Sequence, residues 1–325
     1  MTGRQEHDEK IKNRVLLLIK NEPQYVQDYY YNFGDKTSTT TETYVRHVVE
    51  FANFYKGKDL ATLKKIDVNR FLESIRYRTV NGERVERSVA SRNVKLAAIR
   101  NFYEFLLDNE IIESNPCATI KPAKSGELKT PVFLTPKEIK KVEQAIIDGV
   151  SKYKSNETRD ALRKRDLAIF LLGCTTGLRR TAITEIDVSD VDLDEGTIRV
   201  VEKGNKERII HLGEKTIEAI DEWMTERDYF PVDIITNALF VTRRGKRISG
   251  DDIASMLKKY TEGIGKHISP HKMRSTCATN LYDKTSDIYL VQEVLGHSNI
   301  ANTRRYARVN DDKKKHAADV MDKLV

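Results

Sequence analysis

The sequence predicts a two-domain protein, mainly α-helical, with one small antiparallel β-sheet in its second half. Three observations carry this. The chain has 325 residues, more than a single core usually needs, so two domains are the natural prior. Apolar residues recur at helical spacing through most of its length. Clear strand-like alternation occurs only around residues 196–212, where two short runs flank a polar turn.

Composition narrows the class of protein. Hydrophobic residues make up 39% and charged residues 32%, the balance of a soluble globular chain rather than a disordered one. Lys and Arg number 56 against 49 Asp and Glu, a formal net charge of +7. That excess fits a polyanionic partner, but many soluble proteins share it. Cys117, Cys174 and Cys277 lie far apart with no CxxC spacing, so neither a disulfide framework nor a zinc site is indicated, and a reducing compartment is expected. The early apolar run at residues 15–19 is far too short to span a membrane. The amino terminus carries Arg4, Glu6, Asp8 and Glu9 instead of a secretory pattern. The expected location is the cytoplasm, with no membrane partner.

In chain order, residues 11–33 form one or two short helices interrupted near Pro23. The hydroxyl-rich stretch 36–41 can cap the start of a helix. Tyr44, Val48, Phe51, Phe54 and Tyr55 follow at helical spacing, and Val68, Phe71, Leu72 and Ile75 mark a second amphipathic helix. After a polar turn at Asn81-Gly82, a longer helix turns Val89, Val94, Ala97, Ala98, Ile99, Phe102, Tyr103 and Leu106 inward. Its outer positions take Arg84, Arg87, Ser88, Ser91, Arg92, Lys95 and Arg100. The first hundred residues thus read as all-helical with one basic face.

Asn115-Pro116 stops that run, and residues 120–126 read as an exposed linker. A new helix starts with Thr135 as cap and Pro136 in its first turn. Residues 152–164 are polar, a solvated helix or connection, and residues 166–173 are a buried helix. The hairpin then runs from 196–201 through a turn at 202–206 to 208–212, and Leu239-Phe240-Val241 could add a third strand. Helices resume around Ile217, Ile253 and Thr276, and the tail from residue 311 ends the chain.

Five segments carry residues suited to one chemistry, the metal-free cutting of a DNA strand. That reaction needs a nucleophile, cationic support for the phosphoryl oxygens and a proton for the leaving oxygen. Guanidiniums suit the second need because they stay charged and fork onto two oxygens. The segments are Thr175-Thr176-Gly177-Leu178-Arg179-Arg180, Glu202-Lys203-Gly204-Asn205-Lys206-Glu207-Arg208, Ser269-Pro270-His271-Lys272-Met273-Arg274, Leu295-Gly296-His297, and Thr303-Arg304-Arg305-Tyr306. Each has a bland alternative when taken alone. Gly177 can be a helix C-cap before solvated arginines, and the lysine-rich turn can be a wet hairpin tip. His271 and Arg274 share a helix face, yet a capped surface helix would look the same. Tyr306 can be a half-buried surface tyrosine.

Their succession is what decides. TGLR, KGNKER, SPHxxR, LGHS and TxxY in this order resemble the tyrosine recombinase (phage integrase) family, near its Xer-like branch, over residues 38–309. The resemblance implies a tyrosine-recombinase architecture, with a helical core-binding domain followed by an α+β catalytic domain. The expected division is an amino-terminal extension at 1–36, a core-binding domain at 37–122, a linker at 123–133, a catalytic domain at 134–310 and a subunit-contact helix at 311–325. The short extension leans toward a simple recombinase without a long arm-binding domain.

Site residues follow by the same resemblance. Arg179 and Arg274 would clamp the scissile phosphate and Lys203 would protonate the leaving 5′-oxygen. His271 would assist proton transfer at the nucleophile, His297 would donate a hydrogen bond to a non-bridging oxygen, and Tyr306 would attack to give a 3′-phosphotyrosyl link. Arg87, Ser91, Arg92 and Lys95 would contact double-stranded DNA as the two domains clamp it. No cofactor and no metal are implied. Relatives exchange a carboxy-terminal helix within a tetramer, so a homotetramer on DNA is expected. Two departures stand out: Thr181-Ala182 omits an acidic residue usual after TGLR, and Ser275 stands where a histidine is common. The alternatives are a type IB topoisomerase-like enzyme and a non-cleaving DNA-binding regulator on the same fold.

Overall fold

Aromatic residues on facing helices build the core of the first domain. The computed structural model describes residues 2–34, 38–124, 131–149, 157–202, 206–227, 237–307, 315 and 321–322. The chain divides into two compact units, Gln5–Glu127 and, with the start of the chain, Leu128–Val325.

The first unit contains α1 (Gly3–Ile19) from Gln5 onward, α2 (Gln24–Tyr31), α3 (Ser38–Phe54), α4 (Lys65–Ser74) and α5 (Val89–Asp108). Tyr29 packs edge-on against Phe33 and Phe102, at 4.9 and 5.2 Å between ring centres. Phe51 does the same with Phe71 at 5.0 Å. Such pairs add about 0.5–1.5 kcal/mol each beyond the area they bury. The phenol of Tyr29 donates to Asn101 at 2.9 Å, and that of Tyr103 to the Leu60 carbonyl at 3.0 Å. Ile11, Val15, Ile19, Val26 and Tyr29 of the expected extension are buried in this same core, so α1 and α2 are integral to the first unit. Val94, expected inward, is 41% exposed, and Phe54 is 47% exposed.

One expectation for this half is overturned. Between α4 and α5 lies a hairpin, β1 (Tyr77–Val80) and β2 (Glu83–Glu86), so the half is not all-helical. Asn81 and Gly82 take φ of 52° and 84°. Two successive positive φ angles are what a type I′ hairpin turn requires, and Asn-Gly supplies them at low cost. Arg84 therefore belongs to β2. Arg87 and Ser88 precede α5, with the Ser88 hydroxyl accepting from the Ser91 N–H at 3.2 Å as N-cap. Lys95 is not on an outer face. It is buried on α5 and paired with Glu50 of α3. Burial opposes ionisation of Glu50, yet the Lys95 ammonium holds its carboxyl below the ordinary value.

The chain leading into the expected linker is held against α5. The Asn93 side chain donates to the Ala123 carbonyl at 2.8 Å and accepts from the Ala123 N–H at 3.0 Å. Arg100 donates to the Ile120 carbonyl. These contacts strap residues 120–123 along α5.

The second unit contains α6 (Pro136–Asp148), α7 (Glu157–Thr176), α8 (Arg180–Glu185), α9 (Glu214–Arg227), α10 (Gly250–Thr261), α11 (Pro270–Thr285), α12 (Ile288–Leu295) and α13 (Arg304–Ala307). Thr135 and Glu138 form a capping box at the start of α6, with Pro136 in the first turn. The middle of α7 is wrapped on all sides, with Ala168, Ile169, Phe170 and Leu172 fully buried. A Cβ at Gly173 would lie 2.7 Å from the Met273 methyl, so that glycine lets α11 lie close against α7. The sheet has the order β3 (Val191–Asp192), β4 (Thr197–Glu202), β5 (Lys206–His211), all antiparallel. Its third strand is β3 rather than residues 239–241. Those residues are buried, but they are tied by single bridges at Asp187↔Ala238 and Val241↔Arg247. Among the described residues no helix is long and apolar enough to cross a membrane.

Candidate active site

The site is organised around the carboxy-terminal turn of α12. A helix end leaves its last carbonyls without partners inside the helix, and the dipole makes that end negative. Gly296 closes α12 at φ 62°, letting the N–H of His297 turn back onto the Gln292 carbonyl at 3.0 Å. Guanidiniums take the exposed carbonyls in succession. Arg208 on β5 donates through Nη1 to Glu293 and Val294 at 2.9 and 3.2 Å. Arg274 donates to Leu295 at 2.6 Å, and Arg179 more loosely to Gly296 at 3.4 Å.

Each arginine reaches this turn for a local reason. Arg274 sits one turn beyond His271 on α11 and is 3% exposed. Its other terminal nitrogen donates to the Gly177 carbonyl at 2.7 Å. Gly177 has φ 63°, and a Cβ there would lie 2.6 Å from Leu295 Cδ2 and 3.3 Å from Cys277. Only glycine satisfies both the left-handed backbone and that close approach. Arg179 is exposed and forms the N-cap position of α8.

Tyr306 is 2% exposed, packed with Ala278, Val291 and Leu295. Its ring stacks parallel to that of His297, 6.5 Å between centres and 6° between planes. The guanidinium of Arg305 lies over the same ring at 5.6 Å. His297 Nδ1 lies 3.0 Å from the hydroxyl of the buried Thr303. Loss of water around the ring, then the charges of Arg274 and Arg179 and the neighbours His271 and Arg305, push His297 down to about 4. His271, exposed at the start of α11, is lowered by desolvation and by Arg305 and Arg274. These influences show that the cations and both histidines share one locality.

The structure therefore brings together Arg179, Arg274, His271, His297 and Tyr306 of the expected catalytic set. Lys203 lies outside the described residues. Arg208 and Thr303 were given no role by sequence reasoning, although both stand within the motifs that were read. The departures from the family pattern are accommodated: Ala182 packs at the edge of the apolar core, and Ser275 is buried with its hydroxyl 3.4 Å from the His271 carbonyl. Of the expected DNA contacts, Ser91 is exposed, Arg87 and Arg92 are partly so, and Lys95 is buried.

A helical domain followed by an α+β domain that gathers two arginines, two histidines and a late tyrosine is the arrangement the sequence motifs led one to expect of a tyrosine recombinase. The sequence profile of the phage integrase family matches residues 133–313, and that of the phage integrase N-terminal SAM-like domain matches residues 25–113. The tyrosine recombinase XerC of Shewanella sp. (strain ANA-3) is 35% identical over 237 residues, 72% of this chain and 74% of that protein. XerC of Actinobacillus pleuropneumoniae serotype 7 (strain AP76) is 28% identical over 92% of each chain. The XerH site-specific recombinase, solved on its palindromic difH substrate after cleavage, shares the fold with TM-score 0.70 at 21% identity, over 97% of this chain and 89% of that one. The chain belongs to the phage integrase family and is a tyrosine-type site-specific recombinase.

Proposed function

We propose that the Tyr306 phenolic oxygen attacks the scissile phosphate of double-stranded DNA, held by Arg179 and Arg274. The P–O5′ bond breaks, a 3′-phosphotyrosyl link forms, and Lys203 supplies the proton to the departing 5′-oxygen. His271 takes part in removing the phenolic proton. His297 is neutral near pH 7 because its pKa lies near 4. If the Thr303 hydroxyl donates to Nδ1, the proton sits on Nε2, which then donates to a non-bridging oxygen. Attack by a 5′-hydroxyl of a partner strand reverses each step, so bond energy is conserved in the tyrosyl link and no cofactor is consumed.

The convergence of Arg179, Arg274 and His297 on the α12 terminus, beside Tyr306, carries this reading. A nicked suicide substrate tests it. The wild-type chain forms a covalent protein–DNA adduct, and Tyr306→Phe forms none. Adduct formation by the phenylalanine variant would remove Tyr306 from its role.

Recombination couples two sites, so we assign the working assembly as a homotetramer on DNA, with residues 311–325 docking in trans. Most of that segment lies outside the described residues. Relaxation of supercoils by a monomer, the topoisomerase alternative, gains no support from the family matches.

A further inference from the structure

The hairpin of β1 and β2 belongs to neither core. Every residue from 78 to 86 is exposed, including Val80 and Val85 at 38% each. An isolated two-stranded hairpin is marginal in water, and here its apolar side chains are only partly covered. The register pairs Arg78 with Val85 and Thr79 with Arg84. Alternation therefore places Arg78, Val80, Glu83 and Val85 on one face and Tyr77, Thr79, Arg84 and Glu86 on the other.

The base of the ribbon is fixed and its outer part is not neutralised. Glu86 is gripped by Arg76 at 3.0 Å and by Arg92 of α5 at 3.5 Å. The Arg84 guanidinium lies over the Tyr77 ring at 4.1 Å, which holds it extended along its face. Arg78 makes no ion pair among the described residues. Beyond the base, two arginines, one per face, stand against the single carboxylate of Glu83. The major groove, ~12 Å wide, admits a two-stranded ribbon. The ribbon also runs directly into the start of α5, where Ser91 and Arg92 stand.

We propose that this ribbon enters the major groove of duplex DNA, with Arg78 and Arg84 reaching phosphates on opposite walls. Val80 and Val85, on the same face as Arg78, then lie along the wall that Arg78 reaches. The inference rests on the DNA reading given under Proposed function.

Binding to a random-sequence duplex, measured across salt concentrations, tests it. Each phosphate contact contributes about 0.9 to the slope of log affinity against log salt. Arg78→Ala combined with Arg84→Ala should lower that slope by about two contacts' worth. Lys12→Ala combined with Lys20→Ala, removing equal charge from α1 and the turn after it, should leave it unchanged. A benzophenone side chain placed at position 80 should cross-link to DNA. Wild-type binding with an unaltered slope in the ribbon variant, or cross-linking to a second protein copy instead, overturns the ribbon's role alone. Failure of the wild type to bind any duplex overturns the recombinase reading, and this inference with it.

Discussion

Arg208 is tied to the α12 terminus rather than to a neighbouring side chain, which predicts a positioning role. Its Nη1 bridges two carbonyls of the turn that Arg274 and Arg179 also hold, so it fixes the turn from which His297 emerges. Arg208→Ala should leave duplex affinity near wild type and slow single-turnover adduct formation on the order of 10²-fold, the usual cost of a displacement near 1 Å in a reacting group. Arg208→Lys keeps the charge but loses the fork, and should recover only part of the rate. Equal losses of binding and rate would instead mark Arg208 as a phosphate ligand. At this scale Arg179, His271, Arg274, His297 and Tyr306 were legible because each is a reactive group in a short, ordered motif. Arg208 and Thr303 were not, since a bond to a backbone carbonyl or to a neighbour's ring leaves no pattern in the sequence. Lys95 was misread for a related reason. A lysine among polar neighbours reads as exposed, and nothing nearby announces that Glu50 on another helix accepts it.

Elements were legible where burial is one-sided. The alternation in β4 and β5 follows from Ile198, Val200 and Ile210 facing the core, and it was visible as alternation in the sequence. The β1–β2 ribbon buries neither face, so its residues follow no apolar period, and only Asn81-Gly82 signalled a reversal. Helix junctions carry the tightest constraints. Gly177 links α7 to the turn before α8, and its carbonyl holds Arg274. Gly177→Ala must place a methyl 2.6 Å from Leu295 Cδ2 at a backbone φ of 63°. Overpacking costs about 1–3 kcal/mol, and the left-handed backbone adds roughly 1 kcal/mol or more. A lower urea midpoint with an unchanged slope, together with slower adduct formation, is the expected result. Wild-type values in both would mean that Leu295 moves freely, and with it the turn that carries His297.

At the scale of the whole molecule, the two apolar cores share no residue: one draws on residues from Ile11 to Cys117, the other on residues from Leu134 to Met273. The sequence ended the helical run at Asn115-Pro116 and placed the linker at 123–133, and Asn93 and Arg100 of α5 hold the chain as far as Ala123 through backbone groups that no sequence pattern announces. Separate cores predict separate folding. A fragment of residues 5–124 and another of residues 131–325 should each unfold cooperatively in urea. The net charge of +7 is modest for 325 residues, so neither fragment should hold duplex DNA tightly by phosphate contacts alone. Joined, the second contact becomes intramolecular at an effective concentration near the millimolar range, and the intact chain should bind about 10²–10⁴-fold tighter than either part. Titration of the two fragments and the intact chain on one duplex, at one salt concentration, reads this directly. If either fragment alone matches the intact chain, the grip belongs to that domain, and joining the two serves positioning of the cut rather than affinity.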